Sequence, residues 1–197
     1  MAQAVMLPKH KKWPAQGEWT YQDYLQLPDD GRRYEIIEGV LYVTIAPDID
    51  HQFTVFELAR QMGNFVIEQG LGRIITAPFE VHLSETSRPV QPDVLFIKAE
   101  RWPSPGTKFF GGAPDLIVEV LSTSTSRQDR VTKFTAYEQS GVLEYWIANP
   151  KTRSVEVFTL SGQEYALVGE FVNDEVIISA VLTDLAIKTH THFNTSD

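Results

Sequence analysis

The sequence predicts a single α/β domain with a mixed sheet and a β-hairpin added at each end. Its 197 residues suit one well-buried domain, and nothing in the composition requires two. Near-continuous apolar runs, typical of strands covered on both faces, alternate with two helical patterns. From residue 51 onward the predicted order is helix, three strands, helix and strand, and these elements form the core of the domain.

The N-terminal part is predicted to form a short helix followed by a hairpin. Residues 1–17 are expected to be a flexible arm. Thr20 can cap a short helix, and Asp23 stands three positions later, as in a capping box. The segment from Tyr34 to Thr44 then predicts two strands around a turn at Glu38-Gly39.

The central helix and the strands that follow it have clear boundaries. Asp50 is a suitable N-cap for a helix over about 51–69, which Gly70 can end. Three apolar strands are predicted after this helix. They cover about 73–83, 93–97 and 116–121, and a loop rich in proline and glycine over 101–113 separates the last two.

The C-terminal part is predicted to hold one more helix, one more core strand and a hairpin. The helix covers about 129–140 and the apolar strand about 144–148. The segments flanking Ser161-Gly162 read as the hairpin. Residues 188–197 are expected to be a frayed tail, so the folded domain is predicted to span 18–187.

Composition and charge narrow the class of protein. The chain has no cysteine, which excludes a disulfide framework, a thiolate zinc site and a cysteine nucleophile, and this fits a cytoplasmic protein. No apolar run approaches the length of a membrane span, so no membrane association is expected. The formal charge of −9 argues against broad, sequence-blind binding of nucleic acid and leaves room for a local basic site.

Two acidic residues stand at positions where burial of an ionised carboxylate is energetically unfavourable. Glu119 lies in the middle of an apolar strand, where an ionised carboxylate costs several kcal/mol, roughly, unless a cation or several donors meet it. Asp93 follows a proline and opens the preceding apolar strand. If the two strands pair, both carboxylates can share one divalent metal, and oxygen-only ligation suits magnesium or manganese.

Two alternatives to this metal site remain open at the level of sequence. Asp115 also follows a proline, but it lies four residues before Glu119, roughly 13 Å along the strand, so both cannot bind one ion directly. We favour Glu119 because the mid-strand acid has the larger desolvation cost. The structural alternative is that Asp93 caps a strand and Glu119 pairs with a buried arginine.

The predicted second helix offers a cation near these acids. Lys133 lies close to Arg127 and Arg130, and Tyr137 is four residues further along, on the same helical face. The alternative is an ordinary surface ion pair, since Asp129 and Lys133 also have i,i+4 spacing.

Tyr137 and two further residues are weaker candidates for an accessory role. Glu80 lies on the strand before Asp93 and could add a third acid, although a glutamate there is more often simply solvated. His51 stands at the start of the central helix, where it can either contact the site or satisfy backbone groups.

A set of short motifs spread over the chain matches a known family. The matching segments are Gly31–Gly39, His51-Gln52, Ala77–Val81, Val90–Phe96 and Gly112–Ser122, followed by Asp129, Lys133, Tyr137, Gly141–Ile147 and Pro150. On these motifs the chain resembles the Uma-type endonucleases, bacterial proteins of the PD-(D/E)XK nuclease superfamily. The resemblance implies a restriction-endonuclease-like core and extends over about residues 20–168.

The resemblance also implies roles for individual residues. Asp93 and Glu119 would be metal ligands, and the main-chain carbonyl of Val120 would be a further ligand. The superfamily pattern has a lysine two residues after the second acid, where this chain has Leu121. The resemblance therefore implies that Lys133, reaching back from the following helix, takes the role of that lysine.

The predicted function is metal-dependent hydrolysis of phosphodiester bonds in nucleic acid, with DNA as the favoured substrate and Mg²⁺ or Mn²⁺ as cofactor. Arg127 and Arg130 are the predicted substrate contacts, and a homodimer is the assembly to consider. The alternative from another class is a module that keeps the nuclease fold and binds nucleic acid or a protein partner without cutting. A purely structural dimerisation domain is a third interpretation.

Overall fold

The computed structural model describes residues 13–44, 46–122 and 128–193 of the chain. Its strands are β1 (Arg33–Ile37), β2 (Val40–Thr44), β3 (Gly72–Thr76), β4 (Glu80–His82), β5 (Val94–Lys98), β6 (Phe109–Gly111), β7 (Leu116–Val120), β8 (Glu144–Asn149), β9 (Ser154–Ser161) and β10 (Glu164–Val172). Its α-helices are α1 (Tyr21–Tyr24), α2 (Ile49–Glu68) and α3 (Phe134–Ser140), and a π-helical segment, Gln128–Lys133, leads into α3. No helix among these residues is both long and apolar enough to cross a membrane.

A six-stranded mixed sheet forms the centre of the molecule, in the order β10-β9-β8-β7-β5-β3. The neighbours β7 and β8 run parallel, and the other neighbouring pairs in this sheet are antiparallel. The mixed sheet and the α/β class are therefore confirmed. All five residues of β7 are buried, as expected for a central strand covered on both faces.

The two faces of the sheet are covered by different elements because successive strand residues point to opposite sides. On one face, Val118 packs with the apolar side of α2, including Leu58 and Met62. On the other face, Ile117 packs with Tyr137 of α3. Glu119 belongs by register to the same face as Ile117, so its carboxylate is directed toward the helical segment that carries Lys133.

The predicted N-terminal hairpin is confirmed as the antiparallel pair β1-β2, which lies outside the central sheet. Its outer side forms a small apolar cluster with Trp19. The backbone N–H of Ile36 donates to the carbonyl of Pro89 at 2.9 Å, which docks β1 against the segment leading into β5. The capping box of Thr20 and Asp23 is also present at the start of α1.

Both ends of the chain are more ordered than the sequence suggested, as far as the described residues extend. Trp13 stacks on Trp19, and the N–H of Gly17 donates to Gly39 at 2.9 Å, so residues 13–17 pack on the hairpin. Residues 1–12 of the expected arm lie outside the described residues. The expected frayed tail is corrected for 188–193, because Lys188 pairs with Val176 and Phe193 is buried in the core.

Three element boundaries differ from the sequence expectation. The strand expected over 73–83 is divided into β3 and β4, because Pro78 between them lacks the N–H that a continuous ladder needs. The loop expected over 101–113 contains β6, which pairs in parallel with β4. The N-cap of α2 is Asp48 rather than Asp50, since its side chain accepts the N–H of His51 at 3.0 Å.

Candidate active site

Glu119, in the middle of β7, is the centre of a buried polar cluster. Its Oε1 accepts a hydrogen bond from the Lys133 ammonium at 2.9 Å and another from the Tyr137 hydroxyl at 2.6 Å. Burial raises the pKa of Glu119 well above its usual range; the Lys133 charge opposes this effect, and the neighbouring carboxylates add to it. The partner of Glu119 is thus a lysine and not the buried arginine of the structural alternative.

Lys133, the last residue of the π-helical segment, has a side chain that is only 1% exposed. Its Nζ lies 2.9 Å from Glu119, 3.2 Å from Glu35 and 3.7 Å from Asp129, in each case measured to one carboxylate oxygen. Burial alone would lower the pKa of Lys133, but the charges of Glu119 and Glu35 outweigh it and raise the pKa. Lys133 is therefore held as an ammonium ion. Its contact with Asp129 is buried and is not an ordinary surface ion pair.

Asp93, just before β5, connects the cluster to the surface. Its Oδ1 accepts from Arg33 at 2.8 Å, and its Oδ2 lies 3.1 Å from Nε2 of His51 and accepts the N–H of Val120 at 3.0 Å. Burial would raise the pKa of Asp93, but the His51 hydrogen bond and the Arg33 charge together hold it below its usual range. The Val120 N–H belongs to the peptide that follows Glu119, so the two predicted metal ligands are adjacent in space.

Glu35 of β1 is a member of this cluster that the sequence reasoning missed. It is 1% exposed, and its Oε1 accepts the backbone N–H of Gln91 at 2.7 Å as well as contacting Lys133. Its Oε2 has no hydrogen-bond partner among the described residues and lies 4.0 Å from Nε of Arg33. One signal for Arg33 and Glu35 was in the sequence, because period-two alternation places them on the same face of β1 as the core residue Ile37.

Among the described residues, the cluster holds more buried carboxylates than permanently charged cations. Glu35, Asp93 and Glu119 share two such cations, Arg33 and Lys133, and Asp129 lies 3.7 Å from Lys133. These groups lie in a region with little access to water. No group of three or more histidine, aspartate or glutamate side chains is arranged for metal chelation within the described ranges.

A cavity of about 500 Å³ opens beside Asp93. Its lining includes Arg33, His51 and Asp93, together with Ser122 just after β7. Glu119 and Lys133 do not belong to the lining, because they lie behind Asp93 in the interior. The cluster therefore has an outer part open to a ligand, made by Asp93, Arg33 and His51, and an inner part made by Glu119, Lys133 and Glu35.

Other residues from the sequence prediction lie away from this cluster or make different contacts. Glu80 accepts from the Tyr21 hydroxyl at 2.9 Å and lies 3.0 Å from His82, so it forms a separate group. Arg130 pairs with Glu156 and does not line the cavity. Arg127 lies outside the described residues. For Val120, the N–H rather than the carbonyl is the group seen in contact with the site.

Asp115, the alternative to Glu119 as a metal ligand, is held by an arginine and a backbone N–H. Its Oδ1 accepts from Arg101 at 2.9 Å, and its Oδ2 accepts the N–H of Lys98 at 3.0 Å. Each of its oxygens thus accepts a hydrogen bond, and the residue lies at the opposite end of β7 from Glu119.

Comparisons with known proteins agree with this architecture. The model of the Uma2 family, described as "Putative restriction endonuclease", matches residues 21–190. No curated protein matches the chain. Among solved structures the chain is similar to one described as a "putative nuclease belonging to DUF820" from Anabaena variabilis, with 20% identity, a TM-score of 0.73, and coverage of 86% of this chain and 94% of that chain. At this identity the structural likeness establishes the fold, and the fold is nuclease-like.

Proposed function

The chain belongs to the Uma2 family of restriction-endonuclease-like proteins, and from this membership we propose that it is a metal-dependent endonuclease acting on nucleic acid, with DNA as the favoured substrate. The proposal rests on the site as well as on the family, since one fold can host unrelated functions. The buried acidic cluster around Glu119 and Asp93 is the part of the molecule that supports it.

The observation that carries the proposal is the buried acidic cluster, in which Glu35, Asp93 and Glu119 lie beside the cations Arg33 and Lys133. Buried charges are stable when they are paired or when they coordinate a metal. The charges of Asp93 and Glu35 disfavour the ionised form of Glu119, and a divalent cation bound by Asp93 and Glu119 would relieve this repulsion. All the anionic groups are oxygen donors, which is the ligand type preferred by Mg²⁺ and Mn²⁺.

The residues fit such an ion with two carboxylates and water as its ligands. Mg²⁺ usually keeps several waters and takes only one or two carboxylates, so a cage of three acidic side chains is not required. Asp93 and Glu119 would hold the ion, with the Val120 carbonyl as the further ligand implied by the family resemblance. When bound, the ion would supply Lewis acidity toward a phosphate oxygen and would lower the pKa of a water molecule.

Lys133 contributes a fixed positive charge next to Glu119. Its raised pKa means that it acts as a proton donor in hydrogen bonds and as a counter-charge, and not as a general base. We propose that this ammonium orients the attacking water and offsets the charge that develops on the phosphate. Tyr137 supports this arrangement, because its hydroxyl donates to the same Glu119 oxygen as Lys133.

Arg33 and His51 complete the outer part of the site. Both line the cavity, and each contacts a different oxygen of Asp93. The side chain of Arg33 is 20% exposed, so its guanidinium can reach a phosphate group in the cavity while its inner edge stays near Asp93. Together with the sequence-based candidates Arg127 and Arg130, Arg33 is our proposed contact to the nucleic-acid backbone.

A specific observation favours a second function, a binding module without catalysis. Glu119 and Lys133 are each 1% exposed and pair with one another, and the position of the lysine in the superfamily pattern holds Leu121. A buried Glu119–Lys133 ion pair without access to a ligand could contribute to stability alone. In that case the protein would keep the nuclease fold and bind nucleic acid or a protein partner through the outer cavity.

Cleavage assays with a panel of substrates test the proposed function. Duplex, single-stranded and branched DNA and an RNA are incubated with the protein in Mg²⁺ or Mn²⁺, with EDTA as the metal-free control. The Glu119→Gln variant is purified in parallel to detect a contaminating nuclease. We expect metal-dependent cleavage of at least one DNA that EDTA and Glu119→Gln both abolish. Binding without cleavage across the panel would support the binding module instead.

A further inference from the structure

We infer that Glu35, contributed by the N-terminal hairpin, is a positioning residue that holds the Lys133 ammonium in place while Glu119 serves as a metal ligand. The inference rests on the proposed function, which assigns Glu119 to the metal. It adds a residue from outside the helix-strand core to the site, and it gives the hairpin a role in the chemistry.

The geometry shows why Glu119 alone is a poor anchor for Lys133. One oxygen of Glu119 already accepts both Lys133 and the Tyr137 hydroxyl. A carboxylate that donates electron density to a metal becomes a weaker acceptor for an ammonium ion. Lys133 then needs another carboxylate within hydrogen-bonding distance, because an unpaired charge in this buried position is strongly unfavourable.

Glu35 is the best-placed carboxylate for this role among the described residues. Its Oε1 lies 3.2 Å from the Lys133 Nζ, whereas the nearest Asp129 oxygen lies at 3.7 Å, beyond a good hydrogen bond. The side chain of Glu35 is 1% exposed, so water does not weaken its attraction for Lys133. Its other oxygen lacks a hydrogen-bond partner among the described residues, and this acceptor capacity remains available to Lys133.

The hairpin holds Glu35 rigidly in this position. The N–H of Gln91 donates to the same Glu35 oxygen at 2.7 Å, and the Gln91 side chain donates to the Tyr34 carbonyl at 3.2 Å. Ile36 follows Glu35 in β1, and its N–H donates to the carbonyl of Pro89. These bonds tie β1 to the segment that ends at Asp93, so the anchor of Lys133 and the outer metal ligand are set by one local structure.

A double-mutant cycle on stability tests the contact without any substrate. The free energy of unfolding is measured for Glu35→Gln, Lys133→Met and the double variant, in the absence of metal. We expect the double variant to be more stable than the sum of the single losses predicts, because the Glu35–Lys133 attraction is counted in both single losses and can be lost only once. Additive losses would show that Glu35 and Lys133 do not interact, and would overturn the inference.

The same variants are then compared in cleavage. We expect Glu35→Gln to lower kcat by about tenfold or more with little change in KM, because a displaced catalytic group mainly affects the transition state. Glu35→Asp, which keeps the charge, should recover part of this loss. Glu35→Gln should have no further effect in the Lys133→Met background. If the two losses multiply instead, Glu35 acts independently of Lys133 and the inference is wrong.

Two controls separate positioning from other roles. Asp115→Asn removes a buried carboxylate that pairs with Arg101 and should lower stability without changing kcat. The Mn²⁺-induced rise in Tm should persist in Glu35→Gln; its loss would make Glu35 a metal ligand and overturn the positioning role. If the wild-type protein cleaves no substrate, the proposed function fails, and the stability cycle still decides whether Glu35 holds Lys133.

Discussion

Lys133 forms a 2.9 Å ion pair with Glu119, although the two residues are 14 positions apart and belong to a helical segment and a strand. In the superfamily pattern that the chain resembles, the lysine would occupy position 121, on the strand itself. Here that position is Leu121, which packs in the apolar cluster on the face of the sheet that carries α3. The π-helical segment that ends at Lys133 brings the cation back to the acid, and such segments are frequent at functional sites.

Replacing Glu119 should remove the response of the protein to divalent metal. Glu119→Gln has nearly the same shape but no charge, so the fold should persist while the metal affinity falls. In the wild type, a ligand at a hundred times its Kd adds about 2.7 kcal/mol to the free energy of unfolding. We therefore expect Mg²⁺ or Mn²⁺ to raise the Tm of the wild type and not of Glu119→Gln. An unchanged wild-type Tm at millimolar metal would indicate a structural cluster.

Replacing Lys133 should separate turnover from metal binding. Lys133→Ala removes the ammonium that we propose acts on water and phosphate, so cleavage should fall by a factor of about 100 or more. Metal binding should survive, since a competing cation has been taken away from Glu119. The measurement is kcat together with the metal-induced change in Tm. A variant that keeps normal turnover would exclude Lys133 from the mechanism.

Arg33 should contribute less to the free energy of unfolding when metal is present. Without metal, Arg33→Met leaves the buried Asp93 carboxylate without its 2.8 Å partner and should cost about 2 kcal/mol. With saturating Mn²⁺ the ion compensates Asp93, so the same substitution should cost less. Arg101→Met is the matched control, because Arg101 pairs with a buried aspartate that is not a proposed metal ligand. An equal metal effect on both variants would argue against Asp93 as a ligand.

His192 should make the protein sensitive to mild acid. Burial, and then the neighbouring His190, lower the pKa of His192 from 6.5 to about 4, while Glu57 opposes the shift. Between pH 6.5 and 4, His192 is therefore protonated in the unfolded chain and neutral in the folded chain. The stability present above pH 6.5 should decline as the pH falls toward 4, by about 3 kcal/mol for this one group.

The His192→Leu variant tests this expectation. Both ring nitrogens of His192 lack hydrogen-bond partners among the described residues, so leucine removes no such bond at neutral pH. Unfolding in urea is measured at several pH values between 7 and 4, and the variant should lose less stability across this range than the wild type. Parallel pH curves for wild type and His192→Leu would contradict the prediction.

The fold was largely predictable because its signals are local. Thr20 and Asp23 identified the start of α1, and the apolar run around Glu119 identified a central strand. The errors arose where a distant contact decides the outcome. Residues 188–193 have a polar sequence, yet Lys188 pairs with Val176 and Phe193 fills part of the core, which no local pattern indicates.

In the candidate site, too, local signals were predictable and distant contacts were not. The sequence by itself determined that Glu119 and Asp93 are carboxylates placed on apolar strands, because burial follows from the residues next to them. Only the tertiary structure decided which cations meet them. Arg33 reaches Asp93 across 60 positions and Gln91 orients Glu35 across 56, through a hairpin that is not part of the central sheet. Periodicity describes which face of a strand a side chain takes, whereas its partner depends on how separate elements pack.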